Sequence, residues 1–401
     1  MTAVNTTTVS EASYEALIAE VRRTVDEVIR PNAERIDREG VFPAENLQAL
    51  ADAGWNSMII PTEYDGLGLD YRAFALAAEE IGKGCPSTSL IYVMHVGAAQ
   101  TIVYYGSEDQ KRRWLKPVRT GAIGTHSMSE KATGGHTWFN LSEAKRDGND
   151  YVLDLEKSFT TSGGHADFYV LQTRTPGAEK PTDLSYFIVD GQDPGITAGP
   201  WEALGVRGNQ SGPLKLDGVK VPRADLLAGE NRAIEIAFNG VDPLYLLGIG
   251  SAWIGVAEEA LSIVVNRVKN TVHRDFNRSL ADYQVIRQQL AQAKIALSSL
   301  KPWQLSLADK YNRYEAEGRL LGELWYEATE FKIHATEVAN QVVSIAMDVT
   351  GGYGYKKGTI ERLYRDVRAG LVLAPSNHLA RELVGKDLVG QPPELFTPGG
   401  D

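Results

Sequence analysis

The sequence predicts an α+β fold: an N-terminal helical domain, a central antiparallel β domain and a C-terminal antiparallel helical bundle. Three observations predict it. Apolar residues recur at helical spacing up to about residue 122. Short strand-like runs, separated by Gly, Pro and Asp clusters, occupy about 123–230. The helical period then returns and holds to about residue 390. This gives domains at 12–122, 123–230 and 231–390, with a polar, Thr-rich tail at 1–11 and a Pro- and Gly-rich tail at 391–401.

Each element has its own warrant. Leu17, Val21, Val25 and Ile29 step by four before Pro31 interrupts the run. Leu47, Leu50 and Ala51 continue the period to Gly54, and 61–69 is turn chemistry. Two helical runs follow at 71–83 and 87–105. The second is mostly apolar around Met94, His95 and Val96, as a helix buried on several sides would be. Strands are predicted at 151–155, 168–173, 184–189 and 214–221, and helices at 231–269, 281–312, 315–348 and 376–390.

Composition narrows the function. A chain of 401 residues buries a sizeable core without disulfides or metals. Lys plus Arg number 41 against 52 Asp plus Glu, a formal charge of −11 that offers no footprint for nucleic acid or an anionic membrane surface. Cys85 is the single cysteine, so there is no intramolecular disulfide or CxxC metal site, and no metal is expected. No stretch approaches the ~20 apolar residues of a membrane span. The first twelve residues lack the basic and apolar regions of a secretion signal, so a cytoplasmic protein is expected.

Three glycine-containing clusters offer close backbone approach to a ligand: Ser162-Gly163-Gly164, Gly351-Gly352-Tyr353-Gly354-Tyr355, and the loop 204–211 around Arg207. None is a P-loop or a GxGxxG fingerprint. Taken in order with other segments, they resemble the acyl-CoA dehydrogenase superfamily over about residues 15–390. The segments are Leu50-Ala-Asp-Ala-Gly-Trp55 with 60–68, Tyr105-Gly-Ser-Glu-Asp-Gln-Lys111, Ser127-Met-Ser-Glu130, Lys157-Ser-Phe-Thr-Thr-Ser-Gly-Gly164, Gly205-Val-Arg-Gly-Asn-Gln-Ser211 with 219–222, Phe276 with Gln284, and Gly351-Gly-Tyr-Gly-Tyr355 with Glu361-Arg-Leu-Tyr-Arg-Asp366.

The resemblance implies FAD between the β domain and the C-terminal bundle, with a neighbouring subunit completing the site in a homotetramer. It implies Ser129, Phe159, Thr161, Arg207 and Ser376 as cofactor contacts, and His273, Phe276, Gln284, Gly351 and Gly352 at the subunit boundary. It further implies removal of the α-proton of an acyl thioester by a carboxylate while hydride leaves Cβ for the flavin. The thioester handle is CoA or an acyl carrier protein, and the electron partner an electron-transfer flavoprotein or a flavin reductase. Both glutamate positions that the family uses as base are vacant here: Ala374 stands at one, and Leu244, followed by Tyr245, at the other. Other departures are Phe159 for the usual Trp, His273 for an Arg, Asp348 for a Gln, and a 131–136 loop that ends in His136.

Four of the seven histidines, His95, His126, His136 and His378, fall in segments the family folds around its substrate cavity. His95 and the absent glutamate also resemble the flavin monooxygenases of the superfamily. The readings are therefore an FAD-dependent oxidoreductase acting on an acyl thioester with Asp242 or Glu130 as substitute base, a reduced-flavin monooxygenase using His95, His126 or His378, and a catalytically silent member. The structural alternatives are that Asp242 caps a helix start and that Glu130 pairs inside the β domain.

Overall fold

The computed structural model describes residues 11–134 and 138–392. Its N-terminal helices are α1 (Glu11–Thr24), α2 (Arg30–Glu39), α3 (Ala44–Asp52), α4 (Tyr71–Gly84), α5 (Pro86–Tyr105) and α6 (Glu108–Trp114). Pro31 does not interrupt the first run. It falls in the first turn of α2, where its missing N–H costs little, and a π-helical turn at Val25–Ile29 joins α1 to α2. Asp70 caps α4 by accepting the Ala73 N–H at 2.9 Å, and its carboxylate also accepts the Tyr14 hydroxyl of α1.

The central strands are β1 (Gly124–Ser127), β2 (Lys145–Asp147), β3 (Asp150–Lys157), β4 (Phe168–Arg174), β5 (Leu184–Asp190), β6 (Ile196–Ala198), β7 (Leu214–Val221) and β8 (Leu226–Leu227). They form two four-stranded sheets, ordered β1-β4-β5-β8 and β2-β3-β7-β6. Strand alternation gives the first sheet two buried faces. Tyr169, Leu171, Phe187 and Val189 pack on the second sheet, while Phe168, Val170, Tyr186 and Ile188 pack on Ala98 and Ile102 of α5. The pairing is antiparallel except that β1 runs parallel to β4. The chain leaves β1 for the other sheet before returning, so no hairpin dictates the direction of that pair.

The second helical region contains α7 (Ala233–Ile236), a π turn at Ala237–Val241, and α8 (Asp242–Asn270). After a hairpin of β9 (Val272–His273) and β10 (Arg278–Ser279) come α9 (Gln284–Ser298), α10 (Leu300–Ala316) and α11 (Trp325–Thr350). Four shorter helices follow: α12 (Gly352–Tyr355), α13 (Thr359–Val367), α14 (Ala369–Val372) and α15 (Asn377–Leu388). Two expected runs are shorter than their periodicity. Ser299 separates α9 from α10, and α11 begins only at Trp325 because Gly318, at φ 69°, turns the chain away. The stretch Ala233–Asn270 corrects the reading that nothing approaches membrane-span length. It is long and apolar enough by length and composition, and 72% of its most apolar window is buried inside the protein. It is apolar on all sides because protein surrounds it.

The helical layers meet where α4 crosses α8. A Cβ on Gly255 would lie 2.0 Å from the Glu79 carbonyl oxygen, and one on Gly82 would lie 2.4 Å from the Ala252 carbonyl oxygen. The two backbones touch, so no side chain fits between them. Gly255→Ala is expected to destabilise by about 1–3 kcal/mol through overpacking, read as a lowered thermal midpoint; an unchanged midpoint would contradict this packing.

Candidate active site

A cavity of about 420 Å³ lies where the three regions meet. Leu90 and Met94 of α5, His126, Met128 and Ser129 at the end of β1, and Phe159 and Thr161 after β3 line it. Val206, Asn209 and Ser211 before β7, Val241, Asp242 and Tyr245 at the start of α8, and Ala369, Leu373, Ala374 and Ser376 are also part of the wall. Ala374 and Asp242 thus share one cavity. Leu244 does not line it; it is fully buried in the helical core, on the face of α8 turned away from Asp242 and Tyr245.

Asp242 is the only carboxylate among the described lining residues. It does not cap α8, since its side chain turns to two indoles instead. Trp138 Nε1 and Trp325 Nε1 both donate to Oδ2, at 3.3 and 2.8 Å. Oδ1 has no hydrogen-bond partner among the described residues. Burial pushes the carboxyl up to about 6, and the indole bonds to Trp325 and Trp138 hold it from rising further.

The histidines do not gather as expected. His95 is fully buried and does not line the cavity. Its Nδ1 accepts the Gly124 N–H at 2.9 Å, so its Nε2–H donates to the Asn56 carbonyl at 3.1 Å. Burial pulls it down to about 4, leaving a neutral ring that clips α5 to β1. His378 is exposed on α15, because that helix turns its buried face, Asn377 and Ala380, toward the bundle. His136 lies outside the described residues. Among the described residues His126 is the only histidine that lines the cavity, 3.1 Å from the Thr101 hydroxyl, and burial pulls it down to about 3. Glu130 is no cavity base: it pairs with the buried Lys157 at 2.8 Å and accepts the Leu141 and Ser142 N–H groups.

Among the expected cofactor contacts, Ser129, Thr161 and Ser376 line the cavity, with Thr161 Oγ1 2.9 Å from Ser211 Oγ. Phe159 sits at the rim, 64% exposed and edge-on to Trp201. Arg207 is turned away, because its Nε donates to the Ala203 carbonyl and its side chain faces a separate surface cleft. His273, Phe276, Gln284, Gly351 and Gly352 are all exposed and none lines this chain's own cavity. Sequence reasoning missed Asn209, Ser211, Tyr245 and the two indoles. It also missed Lys332, whose buried Nζ donates to Leu373 O, Pro375 O and Asn377 Oδ1 at 2.9 Å each and so holds the segment carrying Ala374 and Ser376.

Comparison with known proteins decides the lineage. Residues 11–122, 125–219 and 247–389 match the N-terminal, middle and C-terminal domains of acyl-CoA dehydrogenase in turn. The chain belongs to the acyl-CoA dehydrogenase family. Human mitochondrial short-chain specific acyl-CoA dehydrogenase is 29% identical over 383 residues, covering 94% of this chain and 90% of that one. A glutaryl-coenzyme A dehydrogenase in complex with glutaryl-CoA superposes with a TM-score of 0.88 at 25% identity, covering 98% and 99% of the two chains. The Mycobacterium smegmatis glutaryl-CoA dehydrogenase in complex with FADH2 does so with 0.85 at 22%, covering 96% of each.

This acyl-CoA dehydrogenase family member is accordingly a flavin-dependent oxidoreductase, and the family's cofactor is FAD. The cavity's chemistry fits a flavin ring. Ser129, Thr161, Ser211, Ser376 and Asn209 offer neutral hydrogen-bonding groups for a polar ring edge, while Leu90, Met94, Val206 and Leu373 offer apolar surface. Ser129, Thr161 and Ser376 would hold it.

The histidine assignments are testable by stability. His95→Leu strands the buried Gly124 N–H and Asn56 carbonyl, at about 1–3 kcal/mol for each group left unpaired, whereas His378→Ala is expected to stay within about 0.5 kcal/mol. Thermal unfolding of both variants checks this.

Proposed function

We propose that this protein oxidises an acyl thioester, carried on CoA or an acyl carrier protein, with Asp242 receiving the α-proton in place of the missing glutamate. One observation carries the reading: the cavity that holds Ala374 also holds a buried carboxylate with one oxygen fixed by two indoles and the other without a partner among the described residues. An α-proton beside a thioester is weakly acidic and needs a positioned base. A carboxyl raised to about 6 is ionised at neutral pH, yet more basic than an ordinary aspartate. Bound FAD supplies the two-electron acceptor. The acyl groups named for the relatives support a thioester substrate, and the apolar wall from Leu90, Met94 and Val241 suits an acyl chain.

The reduced-flavin monooxygenase reading rests on less. Of the histidines proposed to handle protons there, His95 has both nitrogens engaged with backbone, His378 faces solvent, and His126 lines the cavity but burial pulls it down to about 3. Reoxidation by an electron-transfer flavoprotein goes with the thioester reading, and a flavin reductase with the oxygenating one.

We also infer a homotetramer. Phe276 is 68% exposed, and Val285 and Ile295 of α9 are exposed as well, which leaves apolar surface next to Gln284. Sedimentation as a tetramer or dimer is expected; monomer that still retains FAD would overturn this.

Asp242→Asn is expected to slow anaerobic flavin bleaching by straight-chain acyl-CoAs by about 10²–10⁴-fold. Bleaching that appears only in Ala374→Glu, with the natural protein silent, would overturn the assignment of Asp242. The base must be ionised, so the rate is expected to fall as pH drops through about 6. A pH profile flat from 5 to 8 would contradict Asp242 as the acceptor.

A further inference from the structure

We infer that the surface cleft between α2, the 3₁₀ turn Arg207–Asn209 and α13 binds a phosphate group, as free phosphate or as a phosphate ester. The cleft measures about 330 Å³ and shares no lining residue with the cavity above. Its floor is Arg362, only 9% exposed. The Arg362 Nε is buried without a hydrogen-bond partner, and among the described residues its guanidinium has no ion-pair partner. A buried guanidinium cannot discharge its proton and presents five donors, so this arrangement lacks an acceptor.

The neighbouring carboxylates do not fill that need: Glu34, also on the cleft wall, is exposed and lies 3.8 Å from Arg38. Arg365 holds Asp37 through two bonds of 2.7 and 2.6 Å and also engages Glu361. Asp366, behind Arg362, accepts the Val206 N–H at 2.6 Å. Two further cations reach the same space unpaired: Lys357, exposed, and Arg207, whose one fixed bond is from Nε to the Ala203 carbonyl. The first turn of the nine-residue α13 opens on the cleft at Thr359, and its N-cap Gly358 supplies no side-chain cap. Arginine forks and uncapped backbone N–H groups together match the oxygens of a tetrahedral oxyanion. A halide, a single sphere, offers no pair of oxygens to match a guanidinium fork. The volume exceeds that of one phosphate, which leaves room for an ester's organic part.

The test uses full-length holoprotein in chloride buffer at constant ionic strength, titrated with inorganic phosphate and separately with adenosine 5′-monophosphate. Calorimetry and the thermal midpoint are the readouts. Phosphate is expected to bind and to raise the midpoint where equal ionic strength of chloride does not. Arg362→Gln and Lys357→Gln should each weaken binding by roughly tenfold, the scale of one charge-assisted bond. Tighter binding of the nucleotide would identify an ester as the ligand, and equal binding the free anion; both support the site. If Arg362→Gln does not fold, the exposed Lys357→Gln and Arg207→Gln decide alone. Phosphate binding unchanged in both variants, or no phosphate-specific stabilisation of the natural protein, would overturn the inference.

Discussion

The rest of the molecule depends on how closely α4 and α8 approach. Gly82 and Gly255 let carbonyl groups of each helix lie where a methyl group would stand on the other. That contact joins a helix from early in the chain to one from its second half, so the two helical regions share one continuous core. Tyr71, Phe74, Ile81, Leu246, Ile249, Trp253 and Phe331 all belong to it. Dense packing of this kind fixes helix position to fractions of an ångström. The start of α8, where Asp242 and Tyr245 project, inherits that precision.

Asp242 is where packing becomes chemistry. Its Oδ2 receives one indole from the segment before the second sheet and one from α11, so a single oxygen ties the β region to the bundle. Desolvation alone would protonate the carboxyl more readily; the indole dipoles limit that drift. The opposing wall is set by Lys332, which gathers three acceptors from 373–377 and spends a buried charge on holding a loop. Burial pulls that lysine down to about 7. One wall of the cavity is thus pinned by an aspartate side chain and the other by a buried lysine.

What the sequence disclosed follows the range of the interactions. Strands at 168–173 and 184–189 were legible because a short aromatic and β-branched run bounded by turn residues is a local signal, and Phe168–Arg174 and Leu184–Asp190 differ from them by one residue at one end. Pro31 was misread because a π turn, which no local pattern announces, brings the proline into a first helical turn. The apolar run after residue 233 was underestimated because scattered glycines and Trp253 lower its apparent apolarity, while tertiary contact surrounds it. In the site, Ala374 and Asp242 were found by their places in the chain. The indoles were not, since they lie 104 and 83 residues from Asp242 and tryptophan carries no periodic signal. His95 misled for the same reason: its role is decided by the carbonyl and N–H of Asn56 and Gly124, which are invisible until the chain is folded.

One turn constrains how this chain can change over evolutionary time. Val206 and Gln210 both adopt left-handed backbone, at φ 45° and 47°, which a β-branched valine tolerates poorly. Asp366 holds the Val206 N–H, the Ser87 hydroxyl holds that of Gly208, and the Gly40 carbonyl accepts from Gln210. A methyl group on Gly205 or Gly208 would collide with the Arg365 carbonyl or with Ile36. Surface loops ordinarily accept insertions and deletions. This one, wedged among α2, α5 and α13, behaves as interior. Length variation among descendants of this sequence is therefore channelled to turns such as those at Gly148, Gly177 and Gly218, where added atoms meet open space.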